Sequence, residues 1–309
     1  MLRVQLFGSG RVHYNERPLA GFPNQQAYWL FCYLILNRAQ PQSRERLAAT
    51  FWGDLPSLTA RKSLRNALWR LRQSLHAIGA APEAYLAVDD DTVTFSGAAY
   101  SLDVDVFESG VAAARDVAGE ALSPEQARQL EAAVDAYSGD LLDGLYEDWC
   151  LHERERLSLL HLAALQKLMA YHAAQGAGER GLRYGERILA RDLTREGVHR
   201  QMMRLYWQAG DRNAALAQYK RCAQILRDEL AAAPMEETTR LYELMVSNRY
   251  RLEGGPARPA APEHRPASDP DLAHQAMQRL HRLRAVLDET RAELTHLETL
   301  LGAALVEAA

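Results

Sequence analysis

The stretch from about Val104 to Asn248 constrains this chain most. Its apolar spacing is helical throughout, and it repeats. Shifted by 34 residues, Leu168 falls on Met202, Met169 on Met203, Gly176 on Gly210 and Leu182 on Leu216. That period fits one helix–turn–helix unit, whose apolar face stays open until a neighbouring unit stacks on it. Glycine at 176 and 210 suits the tight turn inside each unit, because a left-handed backbone costs it little. The match is partial: Gly181 lies where Ala215 does, and the aromatic positions drift.

The first 107 residues read differently. "LRVQLFG" alternates and is rich in β-formers, so a strand is expected, with "RVHY" as its hairpin partner. "QQAYWLFCYLILN" is too long and too apolar for a strand in this setting, and predicts a buried helix from Gln25 to Asn37. A second helix follows in "SRERLAATFW", with Ser43 as its N-cap. "GDLPSLTA" reads as a turn and "YLAVDDDTVTF" as a hairpin with three aspartates at its tip. Between them lies "ARKSLRNALWRLRQSL", residues 60 to 75, with five basic side chains and no acid.

At 100° per residue, Leu64, Leu68, Leu71 and Leu75 share one face of that helix with Ala67. Opposite lie Lys62, Asn66, Trp69, Arg70 and Gln73, with Arg65 and Arg72 on the flank and Arg61 at the helix start. Arg and Lys donate to guanine edges and phosphates, and Asn and Gln pair with adenine. A basic face is by itself more often just solvated. The order helix, turn, basic helix, hairpin shifts the reading to a winged helix-turn-helix. Charge supports it: residues 1 to 85 hold eleven Lys and Arg against four acids, in a chain whose formal net charge is −4.

Other function classes find little here. No phosphate-binding loop, H-E-x-x-H or C-x-x-C motif is present, and the ten histidines are scattered, so neither an enzyme, a metal nor a cofactor is expected. Cys32, Cys150 and Cys222 are far apart in apolar surroundings and read as core. The N-terminus lacks the apolar core of a signal peptide, and no stretch approaches 18 apolar residues. The expectation is a cytoplasmic protein without membrane contact.

The domains expected are an α+β winged helix-turn-helix over 1–103 and an all-α tetratricopeptide-like array over 104–250. A Pro/Ala-rich linker over 251–270 and a coiled-coil dimerisation helix over 271–309 complete the chain. In the last, Leu280, Leu287, Leu294 and Leu301 recur every seven residues with Leu283 and Leu297 between them, interrupted by Thr290. A helix docked on the rest of the protein is the competing reading.

"LRVQLFG", "SRERLAATFWGD" and "ARKSLRNALWRLRQSL", in that order, resemble the DNA-binding domain of SARP-type regulators (Streptomyces antibiotic regulatory proteins and relatives). "YSGDLLDGLYEDWCLHERERL" and "RDLTREGVHRQMMRLYWQAGDRNAALAQYKRCAQILRDELAAAP" resemble the bacterial transcriptional activation domain that follows it in that family. The resemblance covers about residues 2 to 247. It implies an activator that binds repeated sites on double-stranded DNA as an oligomer, with the helix 60–75 in the major groove. It implies DNA contact by Lys62, Arg65, Asn66, Trp69, Arg70 and Arg72, and phosphate contact by Arg44 and Arg61. It places RNA polymerase contact on the turn Gly53 to Leu58, at Gly53, Asp54, Leu55 and Ser57. The helical domain would then be an oligomerisation and regulatory module.

The hairpin tip departs from the family habit of a basic residue at the minor groove. Asp89, Asp90 and Asp91 would be repelled by phosphate, so a small contribution to DNA binding is expected. Arg154, Arg156, Arg187, Arg191, Arg195 and Arg200 offer groups for a small anionic effector, such as a nucleotide second messenger. Pairing with neighbouring glutamates is the stronger reading of them. The alternative function is a tetratricopeptide-type scaffold whose front domain binds protein rather than DNA.

Overall fold

Alternation in the first residues puts Leu2 and Val4 on the buried side of strand β1 (Leu2–Gln5) and leaves Arg3 and Gln5 outside. It pairs antiparallel with β2 (Arg11–Tyr14), as the pattern suggested. A two-residue strand, β3 (Arg17–Pro18), extends the sheet beyond β2. The computed structural model describes residues 1–15, 17–18, 25–38, 40–97 and 99–250. The expected linker 251–270 and leucine heptads 271–309 lie outside the described residues.

Helix α1 (Gln25–Leu36) buries Leu30, Phe31, Leu34 and Ile35 completely. Strand β4 (Gln42–Ser43) leads into α2 (Arg44–Trp52), where the Ser43 hydroxyl accepts from the Arg46 N–H. Helix α3 follows as Ser57–Ala77, longer than the sequence suggested. Pro56 explains the earlier start: its carbonyl already accepts the Ala60 N–H at 2.9 Å, so the helix opens directly behind it. The turn is therefore only Gly53 to Pro56. Ser57 and Leu58 belong to the first helical turn, and Arg61 lies in the second.

Strands β5 (Leu86–Val88) and β6 (Thr92–Phe95) form the expected hairpin, and β4 pairs with β6. Strand β7 (Tyr100–Leu102) returns to lie parallel to β1, giving a sheet of order β3-β2-β1-β7. Nothing in the sequence pattern foretold β4 or β7, because two or three residues hold no period.

Helices α4 (Asp103–Ala113), α5 (Pro124–Ala136) and α6 (Asp148–Ala174) follow. The pairs α6 with α7 (Gly178–Leu189) and α8 (Glu196–Gln208) with α9 (Arg212–Leu230) come next, then α10 (Glu236–Val246). The two repeats superpose in kind. Leu168, Met169, Met202 and Met203 are all buried, and Gly176 and Gly210 adopt φ of 72° and 81° at matching turns. Cys32, Cys150 and Cys222 are free and buried.

Met1–Tyr250 forms one compact unit. A single apolar cluster runs from Leu2 and Phe31 through Leu71 to Phe107, Leu141 and Leu157, so sheet and helices share a core. A side chain reinforces the joint: the Asp103 carboxylate accepts the N–H groups of Leu6 and Phe7, each at 2.9 Å. Lys167 caps another joint, where Nζ donates to the carbonyls of Ala114, Arg115 and Val117 just past the end of α4. Lys167→Met leaves those three acceptors without the charge that the helix end favours. A loss of about 2 kcal/mol is expected by urea denaturation, an estimate drawn from charge-assisted hydrogen bonds.

Candidate nucleic-acid interface

Helix α3 is two-faced. Leu64, Leu71 and Leu75 are fully buried, with Ala67 and Leu68 beside them. Each leucine removed from water contributes on the order of 1.5–3 kcal/mol, so the helix is anchored by this face alone. The other face is available: Arg61, Lys62, Arg65, Asn66, Trp69 and Gln73 are exposed. Arg70 and Arg72 are half-buried, and the Arg72 Nε has no partner among the described residues.

Trp69 is 62% exposed, so it does not tuck under the hairpin. Leu58, 80% exposed, stands on the same face, since 58, 62, 65 and 69 step by four, three and four. Sequence reasoning missed Leu58 because it placed that residue in the turn. The outward face thus carries two large apolar groups among its cations and amides.

The surrounding basic residues are partly engaged within the chain. Arg61 approaches Glu45 at 3.8 Å, a pair so exposed that water screens most of its attraction. Arg44 lies against the hairpin tip: its N–H donates to the Asp91 carbonyl at 2.9 Å, and Nη1 to the Asp89 carbonyl at 3.1 Å. The structure therefore brings together Arg44 and the acidic tip, a link absent from the sequence reading. In the turn before α3, Gly53 to Pro56 are exposed, and Leu55 presents an apolar side chain to solvent.

The six arginines considered for an anionic effector use their donors at home. Arg154 donates to the carbonyls of Leu141, Leu142 and Leu145. Arg156 pairs with Glu108 and Glu153, Arg191 with Asp140, and Arg195 with Asp192 at 3.0 Å. Arg187 reaches the Val134 carbonyl at 3.4 Å, and Arg200 the Thr238 hydroxyl at 2.8 Å. They hold the helical array together, though pairing with a neighbouring glutamate applies only to Arg156 with Glu153 and, at 3.7 Å, to Arg200 with Glu196; the others bond backbone carbonyls or aspartates.

Among the described residues, no helix is long and apolar enough to cross a membrane. Residues 102–245 match the family model of the bacterial transcriptional activator domain. The chain is similar to two proteins called transcriptional regulatory protein MoaR1, from Mycobacterium tuberculosis and Mycobacterium bovis. Each is 24% identical over 228 residues, 73% of this chain and 73% of the relative. Among solved structures, Mycobacterium tuberculosis EmbR in complex with a low-affinity phosphopeptide superposes with a TM-score of 0.63 at 22% identity. That match covers 81% of this chain, which spans 66% of the EmbR chain, just under two thirds. The domain match and these relatives bear out the resemblance to SARP-type regulators with such a domain.

Proposed function

We propose that this chain, whose residues 102–245 are a bacterial transcriptional activator domain, is a sequence-specific DNA-binding transcriptional regulator. Residues 1–103 act as a winged helix-turn-helix, with α3 as the helix that enters the major groove and the β5–β6 hairpin as the wing. Residues 104–250 form the tetratricopeptide-like regulatory array. The protein activates from repeated sites, and the exposed turn at Gly53, Asp54 and Leu55, with Ser57 at the start of α3, meets RNA polymerase. The observation that carries the reading is the two-faced α3, with Leu64, Leu68, Leu71 and Leu75 buried and Lys62, Arg65, Asn66, Trp69 and Gln73 turned to solvent.

The amides and cations divide the work. Asn66 has the chemistry to pair with an adenine edge, whereas Lys62 and Arg65 serve phosphate or guanine. Electrophoretic retardation of the protein's own promoter region tests the reading directly. Binding must weaken steeply with salt, each phosphate contact contributing a slope of about −0.9. Asn66→Ala is expected to narrow the gap between specific and non-specific affinity by about tenfold, a size taken from single base contacts. Arg61→Ala is expected to weaken all duplexes alike and flatten the salt slope by about one. Purified protein that fails to retard DNA at low salt contradicts the proposal and favours a protein-binding scaffold. Self-association through Leu280, Leu283, Leu287, Leu294, Leu297 and Leu301 belongs to the same proposal. Truncation at Gly254 is expected to lower the oligomeric state seen by light scattering, and an unchanged number of chains per particle contradicts it.

A further inference from the structure

The solvent face of α3 carries two large apolar side chains that the fold does not use. Leu58 and Trp69 are both exposed, and neither joins an apolar cluster among the described residues. The other leucines of the helix, Leu64, Leu68, Leu71 and Leu75, are all buried. Leu58 and Trp69 stand three helical turns apart, and at 100° per residue they point within about 20° of each other. Lys62 and Arg65 lie between them on the same face, with Arg61, Asn66 and Gln73 flanking it, and all five are exposed. Helix α3 contains no acidic residue. Among the described residues, no ion pair includes Lys62 or Arg65.

Charge and hydrophobicity together narrow what covers this face. Unpaired cations with no acid among them fit a polyanion. Two apolar groups set between those cations fit an apolar feature of the same partner. A phosphate chain offers none. The floor of the major groove does: the C5 methyl of thymine projects there, and apolar side chains are the groups that contact it. Phosphate contacts fix position without reading sequence, so a side chain on a methyl adds what Lys62 and Arg65 lack when they meet phosphate.

We propose that Leu58 and Trp69 set operator specificity by covering the methyl groups of two thymines in the major groove. This rests on the DNA-binding reading above and deepens it. The spacing of the two thymines follows from the helix. Three turns advance about 16 Å along α3. Stacked base pairs rise about 3.4 Å each, so with α3 lying along the groove the two methyls stand about four to five base pairs apart. Lys62 and Arg65 then face the steps between them, where they donate to guanine edges or phosphate, and Asn66 is beside them for an adenine. Cytosine lacks the methyl, so the two apolar side chains choose between the pyrimidines where a phosphate contact cannot.

The test uses the full chain and a duplex selected from a random pool by the wild-type protein. Each thymine is replaced in turn by deoxyuridine, which removes the methyl and keeps every hydrogen-bonding edge. Two positions are expected to lose affinity about fourfold each, the size of one buried methyl-sized group. In Trp69→Ala the thymine-to-deoxyuridine ratio at one of them is expected to fall to about one, and in Leu58→Ala the ratio at the other. Both side chains are exposed, so both variants are expected to melt where the wild type does. Three outcomes overturn the contact. No deoxyuridine position weakens the wild type. The sensitive positions keep their loss in both variants, as when the ring rests on sugar rather than on a methyl. Both variants bind every duplex as tightly as the wild type, which hands the two side chains to a protein partner. Wild-type protein that retards no duplex at all is a different failure, because it removes the DNA-binding reading itself and the thymine contact with it.

Discussion

Replacing Phe107 by alanine is expected to destabilise the protein by about 3–5 kcal/mol, the range for a large aromatic lost from a core. The loss should reach both halves of Met1–Tyr250 together. Phe107 is fully buried in α4. Its ring meets Phe7 edge-on at 5.5 Å and lies 5.4 Å from Tyr137, so it spans the seam between the end of β1 and the helical array. Around it the Leu142 N–H donates to the Leu6 carbonyl, and the Gly8 N–H to the Asp140 carbonyl, each at 2.8 Å. A domain hung on a flexible tether would melt alone. A shared core makes the N-terminal and helical parts melt as one. Urea denaturation followed by tryptophan fluorescence and by far-ultraviolet circular dichroism checks this: the two probes should shift together. If only one moves, the halves fold separately.

Acidification is expected to remove about 2 kcal/mol between pH 7 and pH 5, most of it through His161, at about 1.4 kcal/mol per pKa unit. His161 is buried and stacks on Tyr137 at 4.1 Å, and its Nδ1 has no partner among the described residues. Burial pushes the imidazole from 6.5 down to about 4, helped by the charges of Arg191 and Arg187 and opposed by Asp140. The sign follows. Above pH 6.5 both states leave the ring neutral, and nothing changes. Below it the unfolded chain takes up a proton that the folded chain refuses, so stability falls until about pH 4. His199 moves in the same direction, because burial outweighs the bond to the Leu193 carbonyl. His161→Phe keeps a flat ring against Tyr137 and should lose most of the slope, leaving the share of His199. A slope unchanged in that variant would place the acid sensitivity elsewhere.

Much of this architecture is legible in the residues, for reasons that differ by element. Leucines at 64, 68, 71 and 75 announce the buried face of α3 because a helix repeats every 3.6 residues and nothing else on that face is polar. The αL glycines at 176 and 210 announce the turns because few other residues adopt that backbone cheaply. What escapes reading is whatever depends on contact across the chain. Strand β7 exists because β1 offers it an edge. Arg44 faces the hairpin tip because β4 pairs with β6 and brings the start of α2 there. The start of α3 was misread because "PSL" has the composition of a loop, while Pro56 is well suited to open a helix. The outward face of α3 needed only the buried one to be right, so Lys62, Asn66 and Trp69 were placed correctly in space. What they touch was not legible, since a partner leaves no period in the sequence.

The outer strand of the first sheet has a further consequence. Strand β3 is two residues long, and one of them is Pro18, which has no N–H to donate. Exposed edges of sheets invite other chains to add a strand and grow fibrils, and a short edge ending in proline blunts that route. On this side the fold is therefore guarded against irreversible aggregation by two residues and one missing N–H.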